Sequence, residues 1–365
     1  MESDGRVVVV GRTDSPDFPS VGGPVPAEHG TAILAEISSD GSTLIDTAFW
    51  GGSGSEVALA VAIDGEDERI VGGWTTSLEF PVTPGALQQT RAGQTTGFVL
   101  RYRGSTRQLV FSTYLGGGYF DTVTTVGVDH GDGSILVGGL ALNPNGAGAF
   151  PTTDHALDTT IEGFSDAFVA RLDAEGTTLE AATFLGGDGQ ETPGRLVVRE
   201  DGIVAMTGTT TSEAGFPTTE GSWSAVHAGE GDAFVVVLDA GLSEALYGSY
   251  LGGSGLDDGI ALGWTPIGDA VLVGATASAD FPTTPGMVQE DLAGATDAFV
   301  ALLDAPEIPG DTGPDDTRSD GAAAQGHCGC ATGGAGAPGS GLLVLLAALG
   351  RRAGRRARAS RPPTP

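Results

Sequence analysis

Two unlike markers recur along this chain at one spacing, and that recurrence limits the fold more than any other feature of the sequence. The first is an apolar step ending in Gly-Gly, with an acid just after it. It occurs at 48–52 (Ala-Phe-Trp-Gly-Gly) before Glu56, at 113–117 (Thr-Tyr-Leu-Gly-Gly) before Asp121, at 183–187 (Thr-Phe-Leu-Gly-Gly) before Glu191, and at 249–253 (Ser-Tyr-Leu-Gly-Gly) before Asp257 and Asp258. The second is Phe-Pro, at Phe18, Phe80, Phe150, Phe216 and Phe281, with intervals of 62 to 70 residues. Two markers in step mean copies of one module sharing a continuous core, so the 365 residues are not read as two or three independent domains.

Each full unit reads as four strands, a to d. In the second unit they cover about 57–63, 69–74, 97–103 and 108–115. These runs are rich in Val, Ile, Phe and Tyr, are bounded by turn residues, and are too short for ordinary helices. Strands a and b are joined by acidic Gly turns such as 130–133 (His-Gly-Asp-Gly) and 200–202 (Glu-Asp-Gly). Strands c and d are joined by 39–41 (Ser-Asp-Gly), 173–176 (Asp-Ala-Glu-Gly) and 239–241 (Asp-Ala-Gly). Glycine in such turns supplies the positive φ that tight hairpins need. The b–c connection is about twenty residues long and carries Phe-Pro. Phe80 and its counterparts are expected to plug this loop onto the sheet, and Pro81 to block further strand pairing.

The fold class that follows is all-β: a β-propeller of four-stranded antiparallel blades, with about five repeats of ~65 residues. The units run over about 1–52, 53–117, 118–187, 188–253 and 254–304. The first and last are incomplete, since one starts at strand b near Arg6 and the other stops after strand c near Leu303. Further strands and an export signal are therefore expected upstream of Met1, because residues 1–5 carry neither the basic nor the apolar region of such a signal.

Composition narrows the partners. Glycine accounts for 61 residues without a three-residue period, which excludes collagen. A net charge of −30 excludes nucleic acid, whose binding needs clustered cations. All 17 basic residues are Arg, which we read as genomic base composition. The two cysteines, Cys328 and Cys330, lie outside the repeats, so the core relies on no disulfide.

The repeat resembles the bacterial SBBP-type β-propeller repeat. The residues that carry the likeness are Thr-Tyr-Leu-Gly-Gly with its acid, then Phe150-Pro-Thr-Thr153 with 166–173 (Asp-Ala-Phe-Val-Ala-Arg-Leu-Asp), and Phe281-Pro-Thr-Thr284 with 297–304 (Asp-Ala-Phe-Val-Ala-Leu-Leu-Asp). The likeness spans about Gly5 to Asp304. It implies a propeller on a secreted or surface protein and carries over no catalytic residue.

Beyond the repeats, 305–326 is rich in Pro, Gly, Asp and Ala and reads as a disordered linker. Segment 327–365 then joins Cys328 and Cys330 to a short apolar run, 342–349, expected as a hydrophobic helix, and to Arg351, Arg352, Arg355, Arg356 and Arg358. This tail resembles the C-terminal sorting signal of the MYXO-CTERM type. The resemblance implies export, processing or lipidation at Cys328 or Cys330, and anchoring at the cell surface or outer membrane, with membrane contact through the tail.

Catalytic motifs are absent from the sequence. His29, His130, His155, His227 and His327 hold no repeated position, and the Gly-Ser-Gly steps at 52–54 and 253–255 join strands with no helix to follow. No cofactor is expected. Calcium is the one ion with any support, through Glu56, Asp121, Asp188, Glu191, Asp257 and Asp258 in Gly-rich turns. One acid per loop is few for such a site, and turn capping is the simpler use. The functional expectation is a non-catalytic, surface-anchored module that contacts extracellular protein or glycan through the b–c loops. Two alternatives are a polysaccharide lyase or hydrolase working in the central channel, and a purely structural spacer.

Overall fold

The computed structural model describes residues 5–22, 30–64, 68–142, 150–303 and the backbone of 342–347. Every regular element among these residues is a strand. The first blade holds β1 (Val7–Thr13), β2 (Thr31–Ile37) and β3 (Leu44–Trp50). The second holds β4 (Glu56–Ile63), β5 (Glu68–Thr75), β6 (Thr96–Arg103) and β7 (Gln108–Leu115). The third holds β8 (Phe120–Val128), β9 (Ile135–Leu142), β10 (Ser165–Leu172) and β11 (Leu179–Leu185). The fourth holds β12 (Glu191–Val198), β13 (Val204–Thr210), β14 (Asp232–Leu238) and β15 (Ala245–Leu251). The fifth holds β16 (Asp257–Trp264), β17 (Ala270–Thr276), β18 (Asp297–Leu303) and β19 (Leu342–Ala347). Each blade is a separate antiparallel sheet with its strands in chain order, a β-propeller arrangement. The a strands lie innermost: β4 packs on β8, β8 on β12 and β12 on β16, while β1 packs on β4.

Two expectations about the last blade need correction. The apolar run in the tail is a strand, not a helix, and the fifth blade is complete. β19 lies antiparallel to β18, with Leu342 opposite Leu303 and Ala347 opposite Ala298. An isolated six-residue helix closes very few internal hydrogen bonds, whereas the outer edge of β18 offers a row of unpaired backbone groups to an extended run. The linker 305–326, Cys328, Cys330 and the Arg cluster lie outside the described residues.

The core is divided among the blade junctions, with one apolar cluster at each. Trp50 and Leu34 meet Val71 and Phe98 between the first two blades. Ile70 and Val99 meet Val123 and Val126 at the next junction. Leu136 and Val169 then meet Leu196 and Met206, and Ala205 and Val235 meet Leu262 and Leu272. An inner blade is thus covered on both faces, and its strands are buried end to end, as in β10 and β14. In the end blades β1, β17 and β18 are more exposed or alternate, although β2 is buried. Val7 and Val9 of β1, and Val273 of β17, are exposed; among the described strands each end blade packs on one neighbouring blade.

The c–d turns put a left-handed residue at one fixed position, which is Gly41, Arg107, Gly176 or Leu242. In the fourth blade this corrects the sequence reading, since Leu242 takes the positive φ in place of the adjacent Gly241. Leu242 is fully buried, so its packing offsets the backbone strain.

Candidate functional site

The b–c loops and the d–a turns leave the blades at the same end. In the second to fifth blades each b–c loop starts on a buried anchor. Phe80 stacks on Phe98 of strand c with centroids 4.5 Å apart, Phe150 on Phe168 at 4.0 Å, and Phe281 on Phe299 at 4.7 Å. Phe216 sits 5.1 Å from Phe234 and 5.2 Å from Tyr250. The expected plug is therefore present, and the motif tyrosines secure it. Tyr114 donates to Ser77 O and Tyr250 to Ser212 O, each at 2.9 Å. A glycine of strand b lies under each of these rings; a Cβ on Gly73 or Gly208 would fall 2.8 Å and 2.7 Å from ring atoms of Phe98 and Phe234.

From the anchor the loop runs along the outer edge of strand d. Thr83 N donates to Ser112 O and Tyr114 N to Gln88 O; Thr153 N donates to Ala182 O and Phe184 N to Asp158 O; Thr219 N donates to Gly248 O and Tyr250 N to Ser224 O. Part of the loop thus covers an edge that would otherwise invite another strand. Among the side chains the loops leave outside, some are large and apolar. Leu78, Phe164, Val226 and Val288, one from each of the second to fifth loops, are 68, 52, 71 and 84 % exposed.

The six acids weighed for calcium have structural partners. Glu56 accepts from Gly52 N, from Thr75 Oγ1 at 2.8 Å and from Ser77 Oγ. Asp121 accepts from Gly117 N, and Asp257 from Gly253 N and Ser278 Oγ, all at 2.7 Å. Glu191 accepts from Thr210 Oγ1 at 2.7 Å and Ser212 Oγ at 2.6 Å. Asp188 holds the amides of Glu213 and Ala214, and Asp258 accepts from Thr209 Oγ1. Glu56, Glu191 and Asp257 therefore bind hydroxyls at or just past the end of their own strand b, whereas Asp121 caps its d–a turn through Gly117 N. No group of three or more His, Cys, Asp or Glu among the described residues is placed to hold a metal ion.

Sequence reasoning missed a second row of acids. The first residue of the strand-c motif is Thr31, Thr96, Asp166, Asp232 and Asp297 in successive blades. It sits beside the strand-a acid of the next blade, with the first Gly of Gly-Gly between them. A Cβ on Gly116 would lie 2.8 Å from Asp121 Oδ2 and 3.0 Å from Thr96 Cγ2. One on Gly252 would crowd Asp232 and lie 2.8 Å from Asp257 Oδ2. At the two later junctions a Thr–acid contact has thus become an acid–acid contact, Asp166 with Glu191 and Asp232 with Asp257. Burial, and then the Glu191 carboxylate, push Asp166 up to about 8. Burial raises Glu191 as well, against the hydroxyls of Ser212 and Thr210. Burial pushes Asp232 up to about 6, opposed by the amide of Ala228 and by His227.

At the bulges of the innermost strands the side chains are unlike one another. Leu59, Arg195 and Ile260 are exposed and Thr124 is half-buried, each at or beside the bulge in its strand a. At the opposite end of the blades, arginines bridge neighbours. Arg69 pairs with Glu36 of the first blade at 2.6 Å, and Arg171 pairs with Asp129 at 3.0 Å while donating to Gly202 O of the fourth blade. The planar guanidinium, with its five donors, suits such multiple contacts.

No protein-family model and no curated protein sequence matches the chain. Among solved structures it is similar to a protein of unknown function from Dyadobacter fermentans, at 13% identity and a TM-score of 0.41, over 84% of this chain and 89% of that one. The NanB sialidase of Streptococcus pneumoniae gives 9% identity and a TM-score of 0.28, over 82% of this chain and 55% of that one. BamB from Moraxella catarrhalis gives 12% and 0.27, over 81% and 87%.

Proposed function

We propose that this protein is a non-catalytic contact module, presenting the b–c loop end of its blades to extracellular protein or glycan. The observation that carries the reading is that Leu78, Phe164, Val226 and Val288 put one exposed large apolar side chain on each of four loops whose Phe anchors are buried. Exposed apolar groups on a rigid scaffold are what a recognition surface requires. The innermost positions, held by two aliphatics, a Thr and an Arg, support a binding role over a lyase or hydrolase in the channel, which would draw on carboxylates or imidazoles there. Export and surface anchoring are part of the same proposal; their support is the tail pattern of paired Cys and Arg cluster, the apolar run between them being taken up as β19.

The test is a glycan array and a binding screen against purified surface proteins, run with the full chain and with a variant carrying Leu78→Glu, Phe164→Glu, Val226→Glu and Val288→Glu. The reading expects a ligand that the wild type binds and the variant loses, with the fold intact by circular dichroism. A ligand bound equally by both would move the site elsewhere, and turnover of an arrayed polysaccharide would replace the reading with the enzymatic one.

A further inference from the structure

Asp166 Oδ1, Glu191 Oε2, Asp232 Oδ1 and Asp257 Oδ1 are buried atoms without a hydrogen-bond partner, on side chains no more than 1% exposed. These orphans come in twos. In each pair one belongs to the first residue of a strand c and the other to strand a of the following blade. Two carboxylates in contact and out of water cannot both stay charged at low cost. A single proton turns one into a donor and the other into its acceptor, and so satisfies both orphans at once. A divalent cation would want six to eight oxygens, and neither pair gathers a third acid, His or Cys.

We propose that the third–fourth and fourth–fifth blade junctions each hold one shared proton, so that these junctions tighten when the pair is protonated and loosen when it ionises. Other charges surround both pairs. Asp158 and the backbone amide of Glu162 face Asp166, while Asp188, Glu191 and Asp232 all face the Tyr250 hydroxyl. His227 approaches Asp232 and favours its charged form, and Asp280 lies beyond Gly253. Asp121, a lone buried acid at the second–third junction, is raised to about 7 by burial, with the Gly117 amide opposing, and adds its own pH dependence.

The sign follows from linkage. A carboxyl group whose pKa is higher in the folded chain than in the unfolded chain binds more protons when folded, so stability is greatest at low pH and falls as pH rises through the folded value. For the Asp232–Asp257 pair the loss runs from about 4 to about 6, and for Asp166–Glu191 it extends to about 8.

The repeat supplies its own control. Thr31 and Thr96 occupy the Asp166 and Asp232 position at the two earlier junctions, so Asp166→Thr with Asp232→Thr installs a residue already used there. Unfolding of the full chain is measured from pH 4.5 to 8.5 at constant ionic strength, for wild type, the double Thr variant and a double Asn variant. The wild-type unfolding constant is expected to rise by up to about tenfold per pH unit for each shared proton, and both variants to rise less steeply, keeping the Asp121 contribution. Equal slopes in all three would overturn the proposal, as would calcium stabilising wild type but not the variants at pH 8. Infrared spectra of the wild type alone give an independent reading. A protonated-carboxyl band larger than Asp121 alone can give must survive at pH 6.5, and a band of one carboxyl or none would end the idea even if neither variant folds.

Discussion

Replacing Phe150 with Ala tests whether the long loops are held by their Phe anchors. Phe150 is 2% exposed, lies 4.0 Å from the Phe168 ring in a near-parallel stack, and has its edge toward Phe184 at 6.1 Å. Truncating a fully buried Phe loses its transfer free energy and leaves a cavity, together about 3–5 kcal/mol. Phe18, the counterpart in the first blade, is half-buried, and among the described rings it meets Phe49 at 6.1 Å, edge to face. Its truncation should cost less than half as much, roughly 1–2 kcal/mol. Urea unfolding compares the two variants, and amide exchange localises the effect, since Thr153 N and Leu157 N bond to Ala182 O and Leu242 O only while the loop is seated. Because repeat arrays can open unit by unit, the exchange rates carry more weight than a single midpoint. A Phe150→Ala cost below about 1 kcal/mol, or equal costs at the two sites, would refute the anchoring argument.

Three further outcomes are expected. Gly139→Ala drives a Cβ into Thr122 O and 2.7 Å from the Phe168 ring, whereas Gly263→Ala meets nothing within 4 Å; calorimetry should show a loss of more than about 2 kcal/mol for the first and a change within about 1 kcal/mol for the second. Leu242→Gly relieves a positive φ worth about 1 kcal/mol but removes a fully buried Leu worth about 3, so urea titration should find net destabilisation. Glu36→Gln breaks the buried contact with Arg69 at 2.6 Å and should lower stability by about 3 kcal/mol, far more than Asp14→Asn beside exposed Arg12.

Strand placement was legible because it rests on local pattern. In the second blade the read strands differ from the observed ones by at most one residue at either end, since turn residues bound each apolar run. The Phe plugs and the capping acids were legible for the same reason, as features repeated in every unit. The tail strand was not, because six apolar residues suit a helix or a strand equally until an edge such as that of β18 selects one. The edge-covering path of the b–c loops was hidden as well, being made by backbone groups that any sequence possesses. The acid pairs left one trace, the change from Thr at 31 and 96 to Asp at 166 and 232. Each pair lies 25 residues apart in sequence, and only the junction brings its members together.

An experimental structure of the full chain, by crystallography or electron microscopy, tests the central claim most directly. It should find five separate antiparallel sheets with β4, β8, β12 and β16 innermost, and with Phe80, Phe150, Phe216 and Phe281 seated on the strand-c rings. Sheets fused across a junction, or those four rings out in solvent, would contradict it.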